Sequence, residues 1–189
     1  MSLILASASP RRAELLRQAG ITFTVVKPGM EEKPDYSLPP RKMVLALARE
    51  KAFAVKETLD RGIVLAADTV VYYRGRVLGK PHDTEDARRM LNLLSGTVHE
   101  VLTGLVLVDA ASGTEESGVS VTKVWIKKLP EITINAYVST GEPFDKAGAY
   151  GIQGKAAVFV EKIEGCYSNV VGLPLSLLDD LMRRIDSEV

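Results

Sequence analysis

The sequence predicts an α/β fold, a mixed twisted sheet with flanking helices. Apolar, β-branched runs typical of strands alternate with segments that have the three- to four-residue apolar period of helices. Some strand-like runs follow one another across short turns, so antiparallel pairs should accompany parallel ones. With 189 residues, 46% of them hydrophobic, the chain is long enough to bury about two-thirds of its unfolded surface. We expect a single domain over residues 1–189.

The chain opens with an apolar run over residues 3–6 that predicts a short buried strand. Ser9 and Pro10 follow as an N-cap residue and a first-turn proline, and they predict a helix over about residues 11–19. Gly20 should end this helix, because glycine commonly follows the last helical residue.

The next elements are a loop, a helix and a hairpin. A polar, proline-containing stretch over residues 28–40 predicts an exposed loop. Apolar residues at helical steps predict the longest helix over about residues 41–59. A β-branched and aromatic run over residues 63–73 is typical of a central strand, and Arg74-Gly75 can turn it into a second strand over residues 76–78.

Capping residues and glycines mark the elements of the second half. Asp83 or Thr84 caps a helix that Gly96 ends. Two long strands follow over about residues 98–109 and 118–127. The last predicted elements are a helix opened by Pro130 and ending before Gly141, a strand over residues 156–163 and a helix from about Pro174.

Composition restricts the partners of the chain. Lys and Arg total 24 and Asp and Glu total 24, so no net charge draws it to nucleic acid or to an anionic membrane. The single cysteine, Cys166, excludes an intramolecular disulfide framework and suits a reducing compartment. The apolar start is too short for a signal peptide, and no window approaches the roughly 18 apolar residues of a membrane span. We therefore expect a cytoplasmic protein, in which any binding of an anionic ligand must come from a local site.

The segment Ser7-Ala8-Ser9-Pro10-Arg11-Arg12 combines features that favour phosphate binding. It joins a strand to a helix start, where unpaired amide groups and the helix dipole attract anions. Ser7 adds a hydroxyl, and Arg11 and Arg12 add guanidiniums that can engage two phosphate oxygens at once. The alternative is an ordinary capped helix with solvated arginines.

Asp68 interrupts an otherwise apolar strand. An ionised carboxylate in such a place carries a desolvation cost unless a cation or hydrogen-bond donors offset it. A functional Asp68 would hold a divalent cation or take a proton from water. The alternatives are a carboxylate at the strand's end that accepts hydrogen bonds from a turn, and one that pairs with a lysine.

Three other charged residues are candidates for the same site. Lys51 and Lys80 could meet phosphate charge and Glu32 could ligate a metal, although such side chains are more often solvated. Gly79-Lys80 is followed by proline and lacks the earlier glycine of a Walker loop, which disfavours a P-loop kinase or GTPase.

A glycine-rich loop covers residues 141–154. Its four glycines let the backbone approach a ligand closely, and Tyr150 and Gln153 offer donors and acceptors. The amide of Gln153 could read the edge of a base through its paired donor and acceptor. The alternative is a long structured turn.

Several linked segments carry a resemblance to a known family. They are Ser7-Ala8-Ser9-Pro10-Arg11-Arg12, Arg49-Glu50-Lys51-Ala52, Ala67-Asp68-Thr69-Val70-Val71, Gly79-Lys80-Pro81, Ser95-Gly96, the loop from Asp145 to Gly154, and Val171-Gly172-Leu173-Pro174. Their order and spacing, over nearly the whole chain, resemble the Maf (septum-formation-inhibitor) family of nucleoside triphosphate pyrophosphatases.

The resemblance implies a fold like that of the inosine triphosphate pyrophosphatases, with two lobes around a deep cleft, and a homodimer. The double arginine and the Gly-Ile-Gln-Gly loop resemble the branch that hydrolyses dTTP and UTP to the monophosphate and pyrophosphate. By motif, Asp68 is the expected proton acceptor, while Arg11, Thr69 and Gln153 are expected to set substrate choice. The other cleft positions implied by the resemblance are Ser7, Arg12, Glu32, Lys51 and Lys80.

The expected chemistry needs a divalent cation, Mg²⁺ or Mn²⁺, held by Asp68 together with Glu32. An aspartate alone is a weak base at neutral pH, so the cation would share in activating the attacking water. Arg12, Lys51 and Lys80 would stabilise charge on the phosphates.

Two functions of other classes compete with this hypothesis. One is a nucleotide-binding regulator of septum formation or cell division without catalysis, which would not need the carboxylate of Asp68. The other is a nucleic-acid-binding protein, which the balanced charge disfavours.

Overall fold

The computed structural model describes residues 2–187. The regular elements are β1 (Leu3–Ala6), α1 (Pro10–Gln18), β2 (Phe23–Val26), α2 (Pro40–Lys56), β3 (Ile63–Tyr73), β4 (Arg76–Leu78), α3 (Thr84–Leu94), β5 (Val98–Asp109), β6 (Glu115–Ile126), α4 (Glu131–Val138), β7 (Val160–Glu164), α5 (Tyr167–Val171) and α6 (Leu175–Ser187). Three short 3-10 helices lie between α4 and β7, over Glu142–Asp145, Ala147–Ala149 and Gly154–Phe159.

The strands form one mixed sheet in the order β2-β1-β3-β5-β6-β7, with β4 beside β3. β1 runs parallel to β2 and to β3, whereas β4 is antiparallel to β3 and β7 is antiparallel to β6. Arg74 and Gly75 have φ of 47° and 80°, the two positive values that a type I′ hairpin turn requires. The predicted α/β fold with a mixed sheet is therefore confirmed.

The described chain divides into two compact units. Unit 1 contains the residues up to Asp68, Thr103–Ser120 and the residues from Gly172 on, and unit 2 contains Thr69–Leu102 and Val121–Val171. Three of the four boundaries fall within β3, β5 and β6, and the fourth follows the end of α5. The single domain expected from the sequence stays a prediction, as does the cleft. Among the residues from 2 to 187, no helix has the length and apolar character needed to cross a membrane.

In unit 1, α2 packs closely on the sheet. Ala48, Ala52 and Val55 lie on one helix face and join a buried cluster with strand residues of β1, β3 and β5. Gly104 in β5 permits the close approach, since a Cβ there would lie 2.7 Å from the carbonyl carbon of Val44. Because Lys51 follows Ala48 by three residues, it lies on this buried face of α2.

In unit 2, α3 presents a helical stripe to the core. Ala87, Met90, Leu91 and Leu94 repeat at three- and four-residue steps, and all are buried in one cluster with residues of the sheet and of α4. The helix starts where predicted, because Asp83 is the N-cap and its Oδ1 accepts a 2.8 Å hydrogen bond from the backbone N–H of Asp86.

Several local expectations were wrong or incomplete. The side chain of Ser9 makes no cap hydrogen bond with α1, although Pro10 opens the helix as predicted. The strand expected over residues 156–163 begins only at Val160. Ala156 and Phe159 instead face the core at a three-residue spacing, the period of the 3-10 helix that contains them. The sequence analysis also missed the edge strand β2 and the five-residue helix α5.

Candidate functional site

Asp68 is buried in the middle of β3, the sixth of its eleven residues, with 6% of its surface exposed. Its Oδ1 accepts a 2.6 Å hydrogen bond from Nζ of Lys51, which is itself 5% exposed. The mid-strand position fits a functional carboxylate, and the lysine partner is the pairing considered as an alternative. A function for Asp68 therefore depends on the charges around this pair.

Glu32 brings a second carboxylate to the same lysine. Its Oε1 lies 3.0 Å from Nζ of Lys51, and its side chain is 49% exposed. One buried ammonium thus contacts two carboxylates, one buried and one at the surface. The exposed loop over residues 28–40, as predicted from its prolines, carries Glu32 into this cluster.

Arg12 adds a second positive charge to unit 1. Its Nε donates a 2.8 Å hydrogen bond to the carbonyl oxygen of Gly172, and its Nη1 lies 3.3 Å from Oγ of Ser7. Burial lowers the pKa of Arg12, while the negative charges of Asp68 and Glu32 raise it. Since a guanidinium stays charged in proteins, Arg12 and Lys51 place two cations close to two carboxylates.

Ser7 links the end of β1 to the start of α1. Its Oγ accepts a 3.1 Å hydrogen bond from the backbone N–H of Ser9 and also the contact from Arg12. The hydroxyl of Ser7 rather than that of Ser9 therefore orders the turn into the helix. Arg11 lies beside Arg12, and its charge also lowers the pKa of Arg12. The structure brings the paired arginines, Ser7, Glu32, Lys51 and Asp68 together in unit 1.

The three remaining predicted residues belong to unit 2. Thr69 is half-buried in β3, Lys80 is exposed after β4, and Gln153 is half-buried in the glycine-rich loop. The loop is tied to the segment of Lys80, because the backbone N–H of Gly148 donates a 2.9 Å hydrogen bond to the carbonyl oxygen of Gly79. That these residues share one site with those of unit 1 stays a prediction.

The glycine-rich loop is itself an ordered turn. Gly148 has a φ of 69°, and a Cβ there would lie 2.9 Å from Cγ2 of Val71, so only glycine fits. Tyr150, expected to offer its hydroxyl to a ligand, points into the core. Its hydroxyl lies 2.7 Å from Nε2 of His99, and both side chains are buried.

Two groups of these networks were not predicted: the carbonyl of Gly172 and the ring of His99. A backbone carbonyl leaves no trace in residue type. His99 lies 51 residues before its partner Tyr150, so no local pattern in the sequence links the two. Burial lowers the pKa of His99 from 6.5 to about 4, so its ring is neutral at neutral pH.

Two carboxylates of unit 1 could serve as ligands to a hard divalent cation. Across residues 2–187, no three His, Cys, Asp or Glu side chains gather around one point. Asp68 and Glu32 bring two carboxylates to one nitrogen atom. Mg²⁺ is commonly held by one or two carboxylates, with waters and substrate phosphates as the other ligands. The two carboxylates are therefore compatible with such an ion.

Two solved structures resemble this chain only weakly. A nucleoside triphosphatase described as a dITP/XTP pyrophosphatase from Mycobacterium abscessus is 19% identical, with a TM-score of 0.42, and the match covers 69% of this chain and 76% of that one. The Ham1 protein of Staphylococcus aureus is 15% identical, with a TM-score of 0.43, and the match covers 67% of this chain and 72% of that one. Both TM-scores are too low to assign function.

Comparison of sequences is far more specific. The dTTP/UTP pyrophosphatase of Pelotomaculum thermopropionicum is 49% identical over 187 residues, covering 99% of this chain and 98% of that protein. The dTTP/UTP pyrophosphatase of Carboxydothermus hydrogenoformans is 52% identical over 178 residues, covering 94% and 95%. A family model described as Maf-like protein matches residues 2–185. Matched over nearly its whole length and about half identical to such relatives, this chain belongs to the Maf family.

Proposed function

We propose that this chain hydrolyses dTTP and UTP to the monophosphate and pyrophosphate. The observation that carries the proposal is the Asp68 carboxylate, buried in mid-strand and held at 2.6 Å by Lys51. Arg12 and Glu32 complete an alternating set of charges around it. The relatives that are about half identical to this chain carry the name of the same activity.

In the proposed reaction, a water oxygen attacks the α-phosphorus of the bound triphosphate. The bond from that phosphorus to the α–β bridging oxygen breaks, and pyrophosphate leaves with the electron pair. Asp68 accepts the proton of the attacking water. The ammonium of Lys51 offsets the desolvation of this carboxylate before substrate binds.

Cationic groups bind the phosphates in this scheme. Arg12 presents a planar guanidinium whose Nε is already fixed by the carbonyl oxygen of Gly172, so little side-chain entropy is lost when its other nitrogens bind oxygen. Ser7, Lys51 and Lys80 supply the other donors. Together they stabilise the negative charge that develops on the leaving pyrophosphate.

Arg11, Thr69 and Gln153 are the proposed determinants of substrate choice. Uracil and thymine each present an N–H between two carbonyl oxygens. The side-chain amide of Gln153 can accept a hydrogen bond from that N–H and donate one to a neighbouring carbonyl. Cytosine presents the reverse pattern, a ring acceptor beside an amino group, and the amide matches it only after a 180° rotation. An amide held in the first orientation therefore favours uracil and thymine.

Asp68 and Glu32 are the proposed ligands of Mg²⁺ or Mn²⁺. When bound, the cation supplies Lewis-acid stabilisation of phosphate oxygens and increases the acidity of coordinated water. Activity should be lost on chelation and return with either metal. Glu32→Gln should raise the metal concentration needed for half-maximal rate, and an unchanged requirement would remove Glu32 from the ligand set.

The assembly and location are further parts of the proposal. We expect a homodimer, to be measured by light scattering of the purified protein across a dilution series. We also expect the protein in the cytoplasm, where nucleoside triphosphates are made and where a single unpaired cysteine persists. Fractionation of cells that express the chain would test this.

The decisive experiment incubates the purified protein with a panel of triphosphates and Mg²⁺ or Mn²⁺, and separates the products. Release of monophosphate and pyrophosphate from dTTP and UTP is expected, whereas release of diphosphate and phosphate would place the cleavage at another bond. Asp68→Asn should lower kcat by about 10²- to 10⁴-fold, as for other lost proton acceptors. Asp179→Asn, an exposed change in α6, is the matched control. Tight binding without turnover would instead support the nucleotide-binding regulator.

A further inference from the structure

We infer that Glu142, Tyr150 and His99 are positioning residues for Gln153, and that they set pyrimidine selectivity by fixing the loop on both sides of it. The inference rests on the proposed function, because it concerns how the same site reads a base. All the contacts that carry it lie within unit 2.

The carboxylate of Glu142 closes the loop after Gln153. Its Oε1 accepts a 3.2 Å hydrogen bond from the hydroxyl of Tyr137, and its Oε2 accepts one of 3.2 Å from the backbone N–H of Lys155. Gly154, with a φ of 79°, lies against the same carboxylate, since a Cβ there would be 2.7 Å from Oε1. Glu142 at the loop's start therefore holds the two residues that follow Gln153.

Tyr150 fixes the loop before Gln153. Its hydroxyl and Nε2 of His99 are 2.7 Å apart, and the two rings meet edge to face with centroids 5.4 Å apart. Tyr150 is 5% exposed and His99 is 2% exposed, so water cannot replace a lost partner. Because His99 belongs to β5, this contact ties the loop to the sheet.

Lys146 supports the segment between the two anchors. Its Nζ donates a 2.6 Å hydrogen bond to the carbonyl oxygen of Glu142 and lies 2.7 Å from Oδ1 of Asp145. A Cβ at Gly151 would lie 2.9 Å from Cδ and Cε of Lys146, so the backbone rests on the lysine stem. Only residues 151–153 separate Tyr150 from the segment held by Glu142. Fixing both ends of so short a segment lowers the entropy lost when Gln153 binds a base.

The conservative variant separates positioning from charge. In Glu142→Gln the side-chain amide can accept a hydrogen bond from the N–H of Lys155 and donate one to the hydroxyl oxygen of Tyr137, whereas Glu142→Ala removes both contacts. We expect Glu142→Ala to raise KM for UTP about tenfold, with kcat within about twofold, and to lower the preference for UTP over CTP by a similar factor. Glu142→Gln should restore both values, and Glu161→Ala, an exposed change in β7, should leave both unaltered.

Tyr150→Phe removes only the hydroxyl and keeps the packed ring. It should shift the same two quantities in the same direction, with Tyr167→Phe, 47% exposed, as the matched control. If Glu142 acts through Gln153, then Glu142→Ala made in a Gln153→Ala background should change selectivity no further. Independent, additive changes in the ratio of UTP to CTP would overturn the inference.

Amide hydrogen exchange gives a readout that does not depend on turnover. Faster exchange at residues 151–153 in Glu142→Ala and Tyr150→Phe is expected, with normal exchange in Glu142→Gln. A lower melting temperature with unchanged exchange there and unchanged selectivity would reduce these residues to a structural role. If the wild-type protein releases no pyrophosphate from any triphosphate, the proposed function is wrong. The hydrogen-exchange result would still decide whether Glu142 and Tyr150 hold residues 151–153.

Discussion

Replacing Lys51 by Met tests how much the buried ion pair stabilises the fold. The ammonium lies 2.6 Å from Oδ1 of Asp68, and both side chains are nine-tenths buried or more. Removing one partner of such a pair commonly costs 3–5 kcal/mol, because a buried charge is left without compensation. Arg12 remains near the carboxylate, so we expect the low end, about 3 kcal/mol. For a chain of this length that is a fall in Tm of about 6–12 °C.

Urea unfolding of four proteins measures the cost: wild type, Lys51→Met, Asp68→Asn and the double variant. The double variant should be more stable than Lys51→Met alone, because its buried side chains are neutral. Lys42→Met, an exposed change on the same helix, controls for the loss of a lysine. A free energy of unfolding for Lys51→Met equal to that of Lys42→Met would refute the reasoning, because the pair would then contribute no stability.

Three further outcomes follow from single contacts. Burial lowers the pKa of His99 from 6.5 to about 4, so the unfolded chain binds a proton first as pH falls. The free energy of unfolding should therefore fall by up to about 3 kcal/mol as the pH drops from 6.5 to about 4. His99→Gln should reduce this fall when urea denaturation is measured across the same pH range. Parallel pH profiles for the two proteins would contradict the prediction. Gly104→Ala should lower the free energy of unfolding by about 3 kcal/mol, because the added Cβ meets the backbone of α2. Gly118→Ala should lower it by only about 1 kcal/mol, because its Cβ meets the movable side chain of Leu177. Equal losses in thermal unfolding would argue against the close approach of α2. Arg12→Lys cannot keep both the Nε and the Nη1 contacts and should raise KM for UTP about tenfold in steady-state assays, while the exposed Arg17→Lys should not.

Local signals in the sequence were enough for most of the elements. A few neighbouring residues are enough to predict the β-branched strand β3 and the turn that follows it. The same holds for α2 and α3, whose apolar residues recur at helical spacing. The anomaly of Asp68 was visible for the same reason, since a charge in an apolar strand needs no tertiary information to be noticed. The structure confirmed its burial and its mid-strand position.

Contacts between distant segments could not be read in the same way. Lys51 was a candidate from its residue type and from the family resemblance. Its place on the apolar stripe of α2, three residues after Ala48, was a local signal that the sequence analysis did not use. Its burial depends on the packing of α2 against β5. Residues 156–159 form a 3-10 helix rather than a strand because Ala156 and Phe159 are drawn to the core of unit 2. Tyr150 turned inward because a buried imidazole was available to its hydroxyl.

Packing and chemistry in unit 1 therefore depend on the same glycine. The Lys51 side chain reaches Asp68 because α2 lies against β5 at Gly104, where a single added methyl group would collide with the backbone of Val44. A shift of the helix by a few tenths of an ångström would lengthen the 2.6 Å contact and leave the carboxylate less compensated. Catalysis requires the Lys51 ammonium and the Asp68 carboxylate to keep a fixed distance and orientation, whereas stability requires only that the apolar surfaces stay buried. Gly104→Ala should thus lower kcat at temperatures where the variant is still fully folded, and a normal kcat there would separate the helix position from the reaction.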